Sequence, residues 1–196
     1  MTVNLAVLAS GRGSNFASIA DACERGDVDA DPALLLSDKN NAECLDRARR
    51  RGIEPHYIPY SESDREQFER QAARLIRKND CDLIALAGFM RILSSYFVNE
   101  FEGRILNIHP SLLPAFRGLE AQKQALEYGV KVTGCTVHVV TEELDAGPIV
   151  DQIAVRVQDD DTVDTLSARI LEQEHKLYPR AIQKFIDEEL RVTRDR

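Results

Sequence analysis

Short apolar runs at 3–9, 33–37, 81–87 and 105–108 are separated by stretches with helical, amphipathic periodicity. Runs this short read as strands covered on both faces. Strands that alternate with helices are joined by crossovers, which lay neighbouring strands parallel. The pattern constrains the chain to an α/β fold: a single domain with a mostly parallel, twisted sheet and helices on both faces. Ligands of such sheets bind at the carboxyl ends of the strands. The segments 10–15, 88–93 and 109–118 each follow a strand, so they are the candidate loops of one cleft.

The first run leads into Ser10-Gly-Arg-Gly-Ser-Asn15, and a helical pattern starts at Phe16 and carries Ile19, Ala20 and Cys23. Strand, glycine loop and helix in this order make an anion site, because first-turn N–H groups lack intrahelical partners and the dipole favours negative charge. Gly11 and Gly13 allow a tight turn and close approach of a ligand. Phe16 stands where the dinucleotide fingerprint needs a third glycine, and no GxxxxGK[ST] loop is present. The loop therefore suits a small phosphate better than NAD or ATP, with Ser14 and Asn15 adding donors. A plain strand-to-helix turn is the structural alternative.

The run at 105–108 is interrupted by Asn107 and followed by His109. A spacing of two puts both side chains on one face of a strand. Pro110 and Pro114 stiffen the turn beyond, and the tight Leu-Leu-Pro turn makes Leu113–Pro114 a candidate cis bond. Taken alone, the pair also fits a strand end with satisfied polar groups, so partners elsewhere decide its role.

Between these segments, 42–51 reads as a helix ended by Gly52, and 56–58 as a weak strand. The stretch 64–77 reads as an amphipathic helix with Asp64 as N-cap and Phe68, Ala72, Leu75 and Ile76 on one face. A helix at 119–128 stops at Gly129. Residues 131–140 alternate as a strand does, with Thr136 and His138 on one face and Cys135, Val137 and Val139 on the other. Its partner, 148–157, completes a C-terminal antiparallel hairpin through the acidic connection 141–147. Asp145 in that connection gains a chemical role only if the loop returns to the sheet's carboxyl edge. A long helix follows Asp159-Asp-Asp-Thr162, with a stripe of Leu166, Ile170, Leu171, Leu177 and Tyr178. Glu174 falls on that stripe, and a buried carboxylate needs a partner or a ligand. Pro179 is expected to break the helix and start another that ends near Glu189.

The chain has 196 residues, which suits one well-buried domain, and no apolar run nears the about 20 residues that span a bilayer. The N-terminus carries no basic, signal-like segment, so the expected compartment is the cytoplasm. With 33 acidic against 25 basic residues the charge is −8, which argues against nucleic-acid binding. The densest basic group, Arg47, Arg49, Arg50 and Arg51, sits where a helix C-terminus favours cations. Cys23, Cys44, Cys81 and Cys135 form no CxxC pair, and the four histidines show no HxxxH or HExxH spacing, so no metal is expected.

Four segments together carry a family likeness: Ser10-Gly-Arg-Gly-Ser-Asn15, Ala87-Gly-Phe-Met-Arg-Ile-Leu93, Leu106-Asn-Ile-His-Pro-Ser-Leu-Leu-Pro114 and Leu144-Asp-Ala-Gly147. They closely resemble the phosphoribosylglycinamide formyltransferases, the folate-dependent family of purine biosynthesis. The likeness continues through Glu174-His-Lys-Leu-Tyr-Pro179. The Asn-x-His-Pro-Ser-Leu-Leu-Pro segment is shared with formyltetrahydrofolate deformylases and methionyl-tRNA formyltransferases, which carry a further domain for which this length leaves no room. The resemblance implies a formyltransferase-type, Rossmann-like domain over 1–190 and a polar tail at 191–196. It implies transfer of a formyl group from 10-formyltetrahydrofolate, as cosubstrate, to the amine of glycinamide ribonucleotide, without metal. Asn107, His109 and Asp145 match the catalytic set. Gly13, Ser14 and Asn15 match the holders of the substrate phosphate, and Glu174 the holder of its glycinamide or ribose end. Arg65, Met90, Arg91, Ile92, Leu93 and Asn107 would contact the folate, with Thr141, Glu142, Glu143, Leu144 and Asp145 closing its pterin pocket. Relatives can have His at Glu120 or Gln122, so neither is given a role. Small-molecule substrates, a monomer or homodimer, and neither nucleic acid nor membrane complete the expectation.

The chemistry is consistent with that set. Amine attack on a formyl carbon creates an oxyanion, which needs donors where the charge develops. Asn107 supplies an N–H, protonated His109 could donate to the oxyanion, and Asp145 nearby would favour the imidazolium. The same carboxylate could hold a water that carries the amine proton to the leaving nitrogen. Direct transfer is expected, with no acyl-enzyme. The alternatives are a deformylase that uses water in place of the amine, and an NAD-type nucleotide domain with Asp38 as its ribose acid.

Overall fold

In a computed structural model that describes residues 2–190, the apolar runs become the centre of one seven-stranded sheet. The strands are β1 (Val3–Leu8), β2 (Ala30–Ser37), β3 (Glu54–Tyr57), β4 (Leu83–Leu86), β5 (Ile105–His109), β6 (Val132–Val139) and β7 (Ile149–Arg156). Their order is β3-β2-β1-β4-β5-β6-β7. The ladders are parallel from β3 through β5, and β6 and β7 add antiparallel, as the hairpin pattern predicts. The helices are α1 (Ser14–Glu24), α2 (Glu43–Arg50), α3 (Arg65–Lys78), α4 (Ser95–Glu100), α5 (Ala121–Tyr128) and α6 (Val163–Phe185).

The unbroken apolar runs are explained by two cores. Val3, Leu5 and Val7 point to one face, where Phe16 and Ile19 of α1, Leu45 of α2 and Leu177 and Ile182 of α6 cover them. Ala6 and Leu8 point to the other, against Phe68, Ala72 and Ile76 of α3 and Phe97 of α4. Asp64 caps α3 as expected, accepting from the Gln67 N–H at 3.2 Å.

Four local expectations change. The helix α4 was not foreseen, although Ser94 caps it through the Phe97 N–H; six residues are too few to show a helical period. The third strand sits at Glu54–Tyr57 and includes Pro55, which is tolerated because β3 lies at the edge of the sheet, paired with β2. The helix α1 begins at Ser14, two residues before the apolar pattern does. Most clearly, Pro179 does not end α6, which runs unbroken for 23 residues. Proline costs a helix interior about 3 kcal/mol. Leu166, Ile170, Leu177, Tyr178, Ala181 and Ile182 lie on both sides of it and are fully buried, and each such large side chain contributes about 1.5–3 kcal/mol. A break would unseat one half of that stripe. The Tyr178 hydroxyl adds a second anchor, lying 3.1 Å from the Leu86 carbonyl and 3.0 Å from that of Leu106, at the β4–β5 seam. The expected polar tail at 191–196 lies outside the described residues.

Candidate active site

The glycine loop is built around Gly13, whose φ of +72° is left-handed. A Cβ there would stand 2.5 Å from the Cys44 Cβ and 2.9 Å from its Cα, so both backbone and packing require glycine. The first turn of α1 follows, and among the described residues its N–H groups meet no acceptor. Asn15 is buried and its Nδ2 donates to Glu174 Oε2 at 2.8 Å, joining α1 to α6. The partner that Glu174 needs is therefore Asn15. Its side-chain amide nitrogen is engaged, while its backbone N–H remains in the first turn with those of Ser14 and Phe16.

Burial pushes the Glu174 carboxyl up, and the Asn15 N–H offsets part of that. A carboxyl with a raised folded pKa keeps its proton longer in the folded state, so stability falls as pH rises from the usual 4.5 towards the folded value. Glu174→Gln keeps an acceptor for Asn15 and removes that dependence. Urea unfolding is expected to show the variant gaining on the wild type between pH 4.5 and 7.5. A pH-independent difference would show that Glu174 ionises as freely folded as unfolded.

At the end of β5, Asn107 and His109 do share a face. His109 is 5% exposed and His138 2%. The His109 Nε2 lies 2.8 Å from the Phe116 carbonyl, and its Nδ1 lies 3.4 Å from Asp145 Oδ2. A carbonyl can only accept, so Nε2 carries a proton. Asn107 Nδ2 donates to His138 Nε2 at 3.2 Å, while His138 Nδ1 faces the Val139 carbonyl at 3.1 Å. In the neutral ring those partners put the His138 proton on Nδ1 and leave Asn107 a second N–H, whereas a charged ring donates from Nε2 to Asp145. His138 Nε2 also lies 3.7 Å from Asp145 Oδ1. Both His109 nitrogens thus face protein acceptors, and an oxyanion receives a His109 proton only when one of those contacts opens. Asn107 keeps an N–H with no acceptor among the described residues.

Asp145 arrives by an indirect path. The connection leaves β6 beside Ile105, the first residue of β5, where the Val140 N–H bonds the Ile105 carbonyl at 2.8 Å. It then folds back over the sheet face. A Cβ at Gly147 would meet the Val139 carbonyl oxygen at 1.8 Å, so only glycine passes there. Asp145 itself adopts φ +50°. Burial would raise its carboxyl pKa, but His138, the Gly118 N–H at 2.8 Å and His109 outweigh that and hold it below the usual carboxylate range. Glu143 pairs with Arg117 at 2.8 Å and Glu142 accepts from Asn99 at 2.9 Å. Thr141 bonds the Glu143 carbonyl, and Leu144 is exposed. The 110–118 turn is held by Thr136, whose hydroxyl donates to the Ser111 carbonyl and accepts from the Leu113 N–H, and Leu113–Pro114 is cis.

On the other side, the Met90 N–H donates to Ser10 Oγ at 2.9 Å, tying the 88–93 segment to the glycine loop. Met90 and Ile92 are exposed, Leu93 packs on the α3-side core, and Arg91 pairs with Asp38. Arg65 opens α3, and among the described residues no hydrogen bond or ion pair joins it to that segment. Sequence reasoning missed His138 and the backbone groups of Phe116 and Gly118. The signal for His138 was its alternation with Thr136, away from the core face. Burial pushes the thiols of Cys135 and Cys81 up to about 12 and that of Cys23 to about 11, so they stay protonated at neutral pH and make poor nucleophiles.

The family model described as formyl transferase matches residues 3–182. The chain belongs to the formyl transferase family. This formyl transferase is 44% identical to the phosphoribosylglycinamide formyltransferase of Escherichia coli over 97% of its own chain and 90% of that protein. It is 47% identical to the trifunctional purine biosynthetic protein adenosine-3 of Gallus gallus, covering 92% of this chain and spanning 18% of that protein's length. The crystal structure of glycinamide ribonucleotide transformylase 1 from Symbiobacterium toebii superposes with a TM-score of 0.89 at 46% identity, over 93% of this chain and 86% of that one. A formyltetrahydrofolate deformylase from Pseudomonas syringae pv. tomato has the same fold at a TM-score of 0.85, with 27% identity over 98% of this chain and 62% of that one. Among the described residues no helix is long and apolar enough to cross a membrane, and no group of three or more His, Cys, Asp or Glu is arranged to hold a metal ion.

Proposed function

We propose that this formyl transferase moves a formyl group from 10-formyltetrahydrofolate to the amine of N1-(5-phospho-D-ribosyl)glycinamide in purine synthesis. The observation that supports this is the meeting of His109 and, through His138, Asn107 with Asp145 at the end of β5, beside the 88–93 segment that follows β4. The phosphate meets the first turn of α1, with Gly13, Ser14 and the Asn15 N–H as donors. Glu174 receives the ribose or glycinamide end. Met90 to Leu93, Arg65 and the 141–145 loop hold the folate.

The amine nitrogen attacks the formyl carbon and forms the new C–N bond, placing charge on the formyl oxygen. The free N–H of Asn107 donates to that oxygen, joined by His109 when a ring contact opens. Asp145, held ionised, accepts the ammonium proton through a water. The tetrahedral intermediate then collapses, the carbon–N10 bond breaks, and N10 leaves with that proton. No thiol enters the path. The reading places the enzyme in the cytoplasm as a monomer or homodimer acting on small molecules.

The NAD-type alternative loses its key residue, because the Asp38 side chain is fully buried and Arg91 holds one of its oxygens. The deformylase alternative is separated by one assay: loss of the formyl group from the folate, followed with and without the glycinamide ribonucleotide. Turnover is expected only with the amine. Equal formate release without it would make the enzyme a hydrolase.

A further inference from the structure

The side chains of the 88–93 segment divide. Phe89 is buried and stacks on Phe68 at 5.7 Å, while Met90 and Ile92 are 63% and 62% exposed. Arg91 turns elsewhere: its Nε donates to Asp38 Oδ2 at 2.7 Å, and its guanidinium carbon lies 4.4 Å from the centre of the Tyr60 ring. Asp38 directly follows β2, two strands from β4 and on the side away from β5. Its side chain is fully buried, and Oδ1 has no hydrogen-bond partner among the described residues. A half-satisfied buried carboxylate is destabilising by itself. Among the described residues its only side-chain hydrogen bond is the one to Arg91, so no cap or turn accounts for it. The ends of the segment are held independently, by Ser10 at Met90 and by Glu69, which accepts from the N–H and hydroxyl of Ser94. Asp38 therefore acts on the middle of the segment. A guanidinium caught between a carboxylate and a ring face keeps one planar orientation.

We propose that Asp38 is a positioning residue for the formyl donor: it draws Arg91 onto Tyr60 and away from β5, which fixes the backbone of 90–93 in the shape that receives the pterin and keeps a cation out of the donor pocket. The proposal rests on the formyl-transfer reading above. Steady-state kinetics of the full chain test it with Asp38→Ala, Asp38→Asn and Asp38→Ala/Arg91→Ala. Asp38→Ala is expected to raise the KM for 10-formyltetrahydrofolate about tenfold and leave that for the glycinamide ribonucleotide within about twofold. Asp38→Asn, which retains an acceptor for Nε, recovers most of the loss, and adding Arg91→Ala to Asp38→Ala costs nothing further because the pair acts as a unit. Equal rises in both KM values, a fall confined to kcat, or an Asn variant as impaired as Ala would overturn the proposal. Should Asp38→Ala not fold, Arg91→Lys carries the comparison, since it keeps the charge and loses the Nε donor and the planar stack; an unchanged donor KM there is equally fatal. A wild-type chain without formyl transfer refutes the reading beneath, whereas an active wild type with indifferent variants refutes only the role of Asp38.

Discussion

Asp145→Asn lowers kcat for formyl transfer by on the order of 10² or more, and His109→Ala falls in the same range. The Asn variant is the informative one, because it keeps the size of the side chain, an oxygen to accept from the Gly118 N–H, and a residue type that tolerates positive φ. What it removes is the negative charge beside His109 and His138. The fold should therefore be kept, with a melting temperature that falls at neutral pH by what the carboxylate contributed, while turnover collapses. The pH dependence follows from the lowered carboxyl pKa. A carboxylate with a depressed folded pKa contributes its stability fully above the unfolded value of 3.8, and that contribution is lost as pH falls through the folded value. The acid limb that Asp145 imposes on kcat/KM accordingly lies below the ordinary carboxylate range in the free enzyme. A pH–rate profile from pH 4 to 8 checks this: a wild-type limb near pH 5 that vanishes in the Asn variant would overturn the lowered pKa, and near-normal turnover of that variant removes Asp145 from the proton path.

Gly13→Ala has the largest expected effect on the fold and on the amine substrate together. The left-handed φ costs a residue with a Cβ about 1–2 kcal/mol. The Cβ also meets the Cα and Cβ of Cys44, which are backbone-fixed atoms and cannot swing aside. Overpacking of that kind costs about 1–3 kcal/mol. The combined loss of about 2–5 kcal/mol corresponds to a drop of roughly 5–15 °C in Tm for a chain of this size. Relief comes only from moving α2 away from the loop, which disturbs the Cys44 N–H bond to the Gly11 carbonyl and the phosphate turn with it. The KM for the glycinamide ribonucleotide rises in parallel, while that for the folate changes less. Differential scanning calorimetry and steady-state kinetics measure the two effects; a variant within about 2 °C of wild type would show that the loop has room the distances deny.

Local chemistry made much of this legible before any coordinates. Apolar runs, the Asp64 cap, the Gly129 stop and the alternation of 131–140 are all written in neighbouring residues, and each appears where its pattern puts it. Glu174 was visible as a carboxylate on an apolar stripe, so its need for a partner could be stated though the partner, 159 residues away, could not. The reach of Asp145 was open for the same reason. It depends on the passage of Gly147 under the Val139 carbonyl and on the irregular register at Val137/His138, neither of which leaves a periodic trace. Pro179 misled because a local rule met a tertiary one: the helix ought to break there, and the buried stripe on both sides holds it together. His138 was placed on the correct face and passed over, since its partners Asn107 and Asp145 come from other elements.

The bond between Asn15 and Glu174 also has a consequence in time. A ribosome makes Asn15 a full 159 residues before Glu174, and Asn15 cannot take its final orientation until Glu174 has docked. The phosphate turn therefore stays unfinished until those 159 residues have been made. Competence to bind the amine substrate then arrives in one step, when α6 seats against the sheet and closes a circuit that began at residue 15.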